Sequence, residues 1–237
     1  MRQGYLLKLG RNDYVELSKH SHERITTQTI HESLERVTLN NQLIDGTKIQ
    51  DDWFPEVDAN IFISHSGKDE ELAIGLANFM YDEYGVKSFV DSQVWGYFPD
   101  LMKKLDNGHD TKNNKVNLSK YDECSAHVHN MLSIGLAKMI QKCDYFIFLD
   151  THNSRNSLTN MTESPWIYFE LSLSHILLPE RDLITEGIES FSNIAYKAPT
   201  KHLKNVTIGD LKTIFEGNKL FVEGQRRFHE LSNYLKR

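Results

Sequence analysis

The chain has 237 residues, 39% of them hydrophobic and 25% charged, the balance of a globular protein large enough to bury a real core. A formal charge of −6 and an isoelectric point near 6.0 leave no overall electrostatic footprint for nucleic acid. The two cysteines, Cys124 and Cys143, are too few for a disulfide framework. No apolar run approaches the roughly 18 residues that span a bilayer, and the first residues resemble no secretory signal. The expectation is a cytoplasmic protein that binds neither nucleic acid nor membrane.

Residues 1–57 read as an N-terminal extension without assigned chemistry. Tyr5 to Leu9 is a candidate short strand, and Ile25 to Val37 has loosely helical apolar spacing. His20, His22 and His31 lie among Ser, Lys and Glu, which reads as a solvated face rather than a metal site.

The domain proper, residues 58–237, begins with the apolar strand Asn60 to Ile63 and the polar turn Ser64-His65-Ser66-Gly67-Lys68-Asp69. A helix follows, with Leu72, Leu76, Phe79 and Met80 on one stripe, Asp69 as its N-cap and Gly85 at its end. Val86 to Val90 gives a second strand closed by Asp91, and strand–helix–strand is the signature of a parallel sheet. Ser92 to Gly96 reads as a loop, followed by a short helix through Leu101, Met102 and Leu105. Residues 106–121 are polar throughout and read as an exposed insertion. His127 to Lys142 is helical, and Tyr145 to Asp150 is a third, fully buried strand. After a polar loop, Ser164-Pro165 opens another helix, with Ser164 as N-cap and Pro165 at its first position. Beyond Pro179, Phe191 to Tyr196 and Leu203 to Ile208 are the candidate fourth and fifth strands. Asp210 to Phe215 and Leu220 to Leu235 are the candidate closing helices.

In an open parallel sheet, the loops at the carboxyl ends of the strands share one edge, where ligands bind. That edge would gather Ser64, His65, Ser66, Lys68 and Asp69 from the first loop, Asp91 and Trp95 from the second, and the helix carrying Trp166 and Glu170. Trp166 and Glu170 are four residues apart, so a flat ring and a carboxylate share one helical face. A glutamate near a helix start often serves only the helix dipole. Glu170 lies about a turn and a half in, where that benefit has faded. Cys124-x-x-His127-x-His129 does not make a zinc site, because the two histidines fall on different helical faces and no second ligand cluster follows. Ser64-His65-Ser66 lacks a hydrolase elbow, and Gly67-Lys68 lacks phosphate-loop spacing.

Phe62-Ile63-Ser64-His65-Ser66-Gly67-Lys68-Asp69 resembles the first box of Toll/interleukin-1 receptor (TIR) domains. Phe89-Val90-Asp91 followed by Gly96 resembles their second strand and the loop after it. Ser154, then Ser164-x-Trp166-x-x-x-Glu170-Leu171, resembles the pattern around the glutamate of TIR enzymes. The resemblance spans about residues 59–179, and more loosely 191–237. It implies a flavodoxin-like, doubly wound α/β fold with a five-stranded parallel sheet. It also implies cleavage of NAD at the nicotinamide–ribose bond, giving ADP-ribose or a cyclic ADP-ribose-type signal, as in bacterial anti-phage defence. Carried over by the resemblance are Glu170 as catalyst, Trp166 as stacking surface and Ser64 to Asp69 as nucleotide contacts. Asp91 to Gly96 is carried over as substrate cover and self-association surface. NAD would be substrate, no cofactor or metal is implied, and a separate sensor or effector protein is an implied partner. A lone carboxylate suits this chemistry, because nicotinamide leaves a cationic pyridinium as a neutral molecule and needs no general acid. The same boxes also suit a non-enzymatic TIR interaction module, or a pocket for another N-glycoside such as a deoxyribosyl nucleotide. The loop from Asp91 to Pro99 lacks the Pro-Gly of receptor-type members, a departure that argues against receptor-style adaptor pairing.

Overall fold

The computed structural model describes residues 3–20, 38–39, 43–94, 101, 118–178 and 194–217. Outside them lie the expected Ile25–Val37 helix, His22 and His31, Trp95, most of the 106–121 insertion and the helix over Leu220–Leu235.

In chain order the elements are β1 (Gln3–Lys8), α1 (Arg11–Ser18), β2 (Thr38–Leu39), β3 (Leu43–Ile44), α2 (Gly46–Trp53) and β4 (Ile61–Ser64). A short 3-10 turn over Gly67–Asp69 leads into α3 (Glu70–Tyr84), β5 (Ser88–Phe89) and α4 (Asp91–Val94). Then come α5 (Leu118–Lys142), β6 (Tyr145–Asp150), β7 (Met161–Thr162), α6 (Pro165–Leu177), β8 (Tyr196–Lys197) and β9 (Lys204–Val206). A last helix, α7, occupies residues 208–217. The chain packs as two units.

The first unit holds a five-stranded sheet in the order β5-β4-β6-β1-β9, every neighbouring pair parallel. Strand alternation sends Tyr5, Leu7, Ile61, Ile63, Ile147 and Leu149 to one face. There they form a core with Leu17 of α1, the apolar stripe of α3, and Ile208, Leu211 and Phe215 of α7. α1 crosses α3 so closely that a Cβ on Gly75 would run into the Leu17 backbone. The opposite face carries Gly4, Phe62, Ser64, Phe146 and Phe148, with Phe62 and Phe146 stacked at 5.7 Å. α6 lies on that side. A Cβ on Gly4 would sit 2.8 Å from Leu178, at the end of α6, and 2.5 Å from Leu203. Helices on both faces of a parallel sheet make this a flavodoxin-like, doubly wound α/β fold.

The chain reaches that fold by an unexpected route. β4, β5 and β6 take the 2-1-3 arrangement of flavodoxin-like sheets, but the next place belongs to β1. Gln3–Lys8 pairs with Tyr145–Asp150 on one side and, through Tyr5–Leu7, with Lys204–Val206 on the other. The first residues of the expected extension are thus built into the sheet. Leu6 and Leu7 are buried on its two faces, as a strand covered on both sides requires. Of the fourth strand expected over Phe191–Tyr196, residues 191–193 lie outside the described residues, and the described part does not pair with β6. Tyr196–Lys197 instead forms a small antiparallel ribbon with Met161–Thr162. The fifth, expected over Leu203–Ile208, is β9.

Gly85 ends α3 in the left-handed conformation, φ 64°, as its position predicts. The second unit contains the β2–β3 ribbon, α2 and most of α5. Asp45 caps α2 by accepting from the Thr47 and Lys48 amides. Its C-terminal half is tied to α5 by an Asp51–Lys138 ion pair of 3.5 Å. α5 begins at Leu118, so the last residues of the expected insertion are helical.

Candidate functional site

β4 is followed by α3 on one face of the sheet, and its neighbour β6 is followed by α6 on the other. Their loops therefore part at the carboxyl edge, the place where doubly wound sheets open for ligands. Glu170 stands at this point. Ser164 caps α6 by accepting from the Ile167 amide, and Pro165 sits at its first position. Ile167, Glu170, Leu171 and Ser174 form the buried stripe of the helix. Ser64, the last residue of β4, turns toward that stripe and donates its hydroxyl to Glu170 Oε2 at 2.6 Å. At that distance it is a short O–H···O hydrogen bond. Ser64 is 1% exposed and Glu170 4%. The carboxylate does lie at the expected edge, but enclosed rather than along an open groove.

Around it the turn after β4 is well defined. Ser66 caps the 3-10 turn, its hydroxyl accepting from the Lys68 amide at 3.4 Å. His65 is half-buried, with Nδ1 3.4 Å from the Ile63 carbonyl, and Lys68 is exposed. Trp166 is half-buried one helical turn before Glu170. Asp91 opens α4 in the second unit, and Trp95 is outside the described residues.

Asp69 differs from its expected roles. It occupies the N-cap position of α3, yet its side chain makes no cap bond. The carboxylate instead accepts the Thr151 hydroxyl and, at 2.7 Å, the Asn153 amide, clasping the loop after β6 to the loop after β4. It is 4% exposed, and each of its carboxylate oxygens accepts from the loop after β6. Ser154 is likewise structural, accepting from the Thr151 amide and donating back to the Thr151 carbonyl.

Two polar clusters were not anticipated. Arg155 Nη2 meets Asp150 Oδ2 at 2.8 Å, with both side chains under a tenth exposed. Its Nη1 donates to Asn160 Oδ1, also at 2.8 Å. Asn160 adopts φ 56° and bonds across to the Ala198 carbonyl. The second cluster lies at the end of α6. The Ser174 hydroxyl donates to the Leu171 carbonyl, so the 2.8 Å contact with His202 Nε2 is a bond donated by the imidazole. Burial, and then the neighbouring His175, push His202 down to about 4. An Asp five residues before an Arg was the only available sign of the first cluster, and nothing in the pattern marked the second.

Among the described residues no cluster of three or more His, Cys, Asp or Glu is placed to hold a metal ion. No described helix is long and apolar enough to cross a membrane. Comparison with known protein families, with curated proteins and with solved structures gives no match. The fold and the carboxyl edge therefore define the class: a doubly wound α/β protein with an enclosed glutamate at its strand switch. An anion held in a low-dielectric site stabilises positive charge developing beside it more strongly than the same anion in water.

Proposed function

We propose that the protein cleaves NAD⁺ at the nicotinamide–ribose bond, as its resemblance to TIR enzymes implies, with Glu170 as the catalytic carboxylate. The observation that carries this reading is the position of Glu170, at the switch between β4 and β6 and hydrogen-bonded by Ser64. Departure of neutral nicotinamide leaves positive charge spread over the ribose ring. Glu170 steadies that charge and orients the sugar hydroxyls. Trp166, on the same helical face, supplies the ring against which a base stacks. Attack by water gives ADP-ribose, and attack by an atom of the substrate gives a cyclic product. The reading includes a cytoplasmic setting, self-association and a partner effector responsive to the product.

One observation favours a second reading, the non-enzymatic interaction module. Glu170 is 4% exposed, and a buried serine–glutamate pair also pins α6 to β4. Incubation of concentrated protein with NAD⁺ and, separately, with nucleosides and deoxynucleotides, followed by chromatography, separates the alternatives. Nicotinamide appearing from NAD⁺ alone supports the proposal. Free base from another N-glycoside moves the pocket to a different substrate. Intact substrates throughout favour the module.

A further inference from the structure

Ser64 was expected to touch substrate, yet its hydroxyl is buried and directed at Glu170. We propose that Ser64 is a positioning residue that holds Glu170 as the anion and fixes the direction its carboxylate faces. The consequence for catalysis rests on NAD cleavage by Glu170; the effect on the carboxylate itself does not.

A carboxyl group taken out of water favours its neutral form, and a neutral acid cannot steady a cationic sugar. A hydrogen bond donated to the charged form opposes that tendency. Ser64 is well built for this task. It ends β4, whose Ile61, Phe62 and Ile63 are buried and held in register between β5 and β6, so its Oγ is fixed by the sheet. α6 is fixed at its start by the Ser164 cap. Donor and acceptor thus sit on two rigid elements, 106 residues apart in the chain, and meet at 2.6 Å.

The ionisable groups on the surrounding elements include His65, Lys68 and Asp69 after β4, Asp150, His152 and Arg155 around the end of β6, Glu163 before α6, and Tyr196 and Lys197 of β8, of which Lys68 and Lys197 are exposed. Asp69 is engaged by Thr151 and Asn153, and Asp150 by Arg155. Glu163 and His152 are exposed. Ser64 donates its hydroxyl to Glu170 Oε2 from a place fixed by the sheet.

The test uses the full chain as wild type, Ser64→Ala, Ser64→Thr and Glu170→Gln. Nicotinamide release is followed against pH, and the Glu170 carboxyl is titrated by carbon NMR, its signal assigned by its loss in Glu170→Gln. Loss of the hydroxyl in Ser64→Ala should raise the carboxyl titration by about one pH unit and move the acid limb of the rate profile up by the same amount. On that limb kcat should fall about tenfold, with KM for NAD⁺ changed less than about twofold. Ser64→Thr, which keeps the hydroxyl, should restore both. Should Ser64→Ala not fold, the weaker donor in Ser64→Cys should give a shift of the same sign. An unmoved carboxyl titration overturns the proposal. So does a raised KM with kcat and the acid limb unchanged, which would make Ser64 a substrate contact and leave NAD cleavage standing. A shifted titration in a protein that releases no nicotinamide upholds the role of Ser64 and overturns the NAD reading alone.

Discussion

Two of the enclosed carboxylates near the carboxyl edge of the sheet, Asp150 and Glu170, are held in different ways. Asp150, at the end of β6, meets the guanidinium of Arg155, and Asn160 takes the other arm of the fork. Glu170, facing the end of β4, receives a hydroxyl from Ser64. A guanidinium answers a carboxylate with an opposite charge and ties down the loop that carries it. A hydroxyl orients a carboxylate without itself bringing an opposite charge. The first arrangement suits a staple, and the second suits an anion that acts on something else.

The contrast can be broken from either side. The largest expected effect belongs to the staple: Arg155→Ala leaves a buried Asp150 uncompensated and should cost about 3–5 kcal/mol in denaturant unfolding. The double variant Asp150→Ala/Arg155→Ala should recover part of that loss, since no lone charge remains. Asp69→Ala, which releases the clasp between the two loops, should cost about 2–3 kcal/mol by the same measurement. If either variant unfolds like wild type, these carboxylates are not the staples described. Trp166→Ala sharpens the other side, with KM for NAD⁺ rising about three- to tenfold and kcat little changed.

A further effect is one of pH. His202 has a folded pKa of about 4, below its ordinary 6.5, so between these values the unfolded chain binds the extra proton. Its contribution is present in full above pH 6.5 and is lost as the pH falls toward 4. The melting temperature should therefore decline across that interval. His202→Gln retains a donor for Ser174 and should flatten the decline. An unchanged slope would remove His202 from this role.

Much of the site was legible because it is local. Ser164-Pro165 announces a helix start, the four-residue spacing places Trp166 and Glu170 on one face, and the apolar runs at Ile61 and Tyr145 mark strands that the structure pairs in parallel. What periodicity does not carry is partnership over long separations. Tyr5-Leu6-Leu7 reads as a strand, but nothing nearby shows that it enters the sheet beside Leu149 and Val206. The polar stretch after it makes it look detached. The same limit hid the Asp69 clasp, because an aspartate before a helix has a familiar local use as a cap. Its partners, Thr151 and Asn153, lie more than 80 residues away. Arg155 stands among polar residues that suggest an exposed loop, and its burial follows from the tertiary fold.

Glu170 is an acting anion rather than another staple. The most direct test of this is nicotinamide release from NAD⁺ by the wild type and by Glu170→Gln at matched high concentration, with thermal melts on both. The account predicts release by the wild type, its loss in Glu170→Gln by at least about a hundredfold, and melting temperatures within a few degrees. Equal release by both proteins would contradict it, as would a collapse in stability in a variant of a protein that never releases nicotinamide.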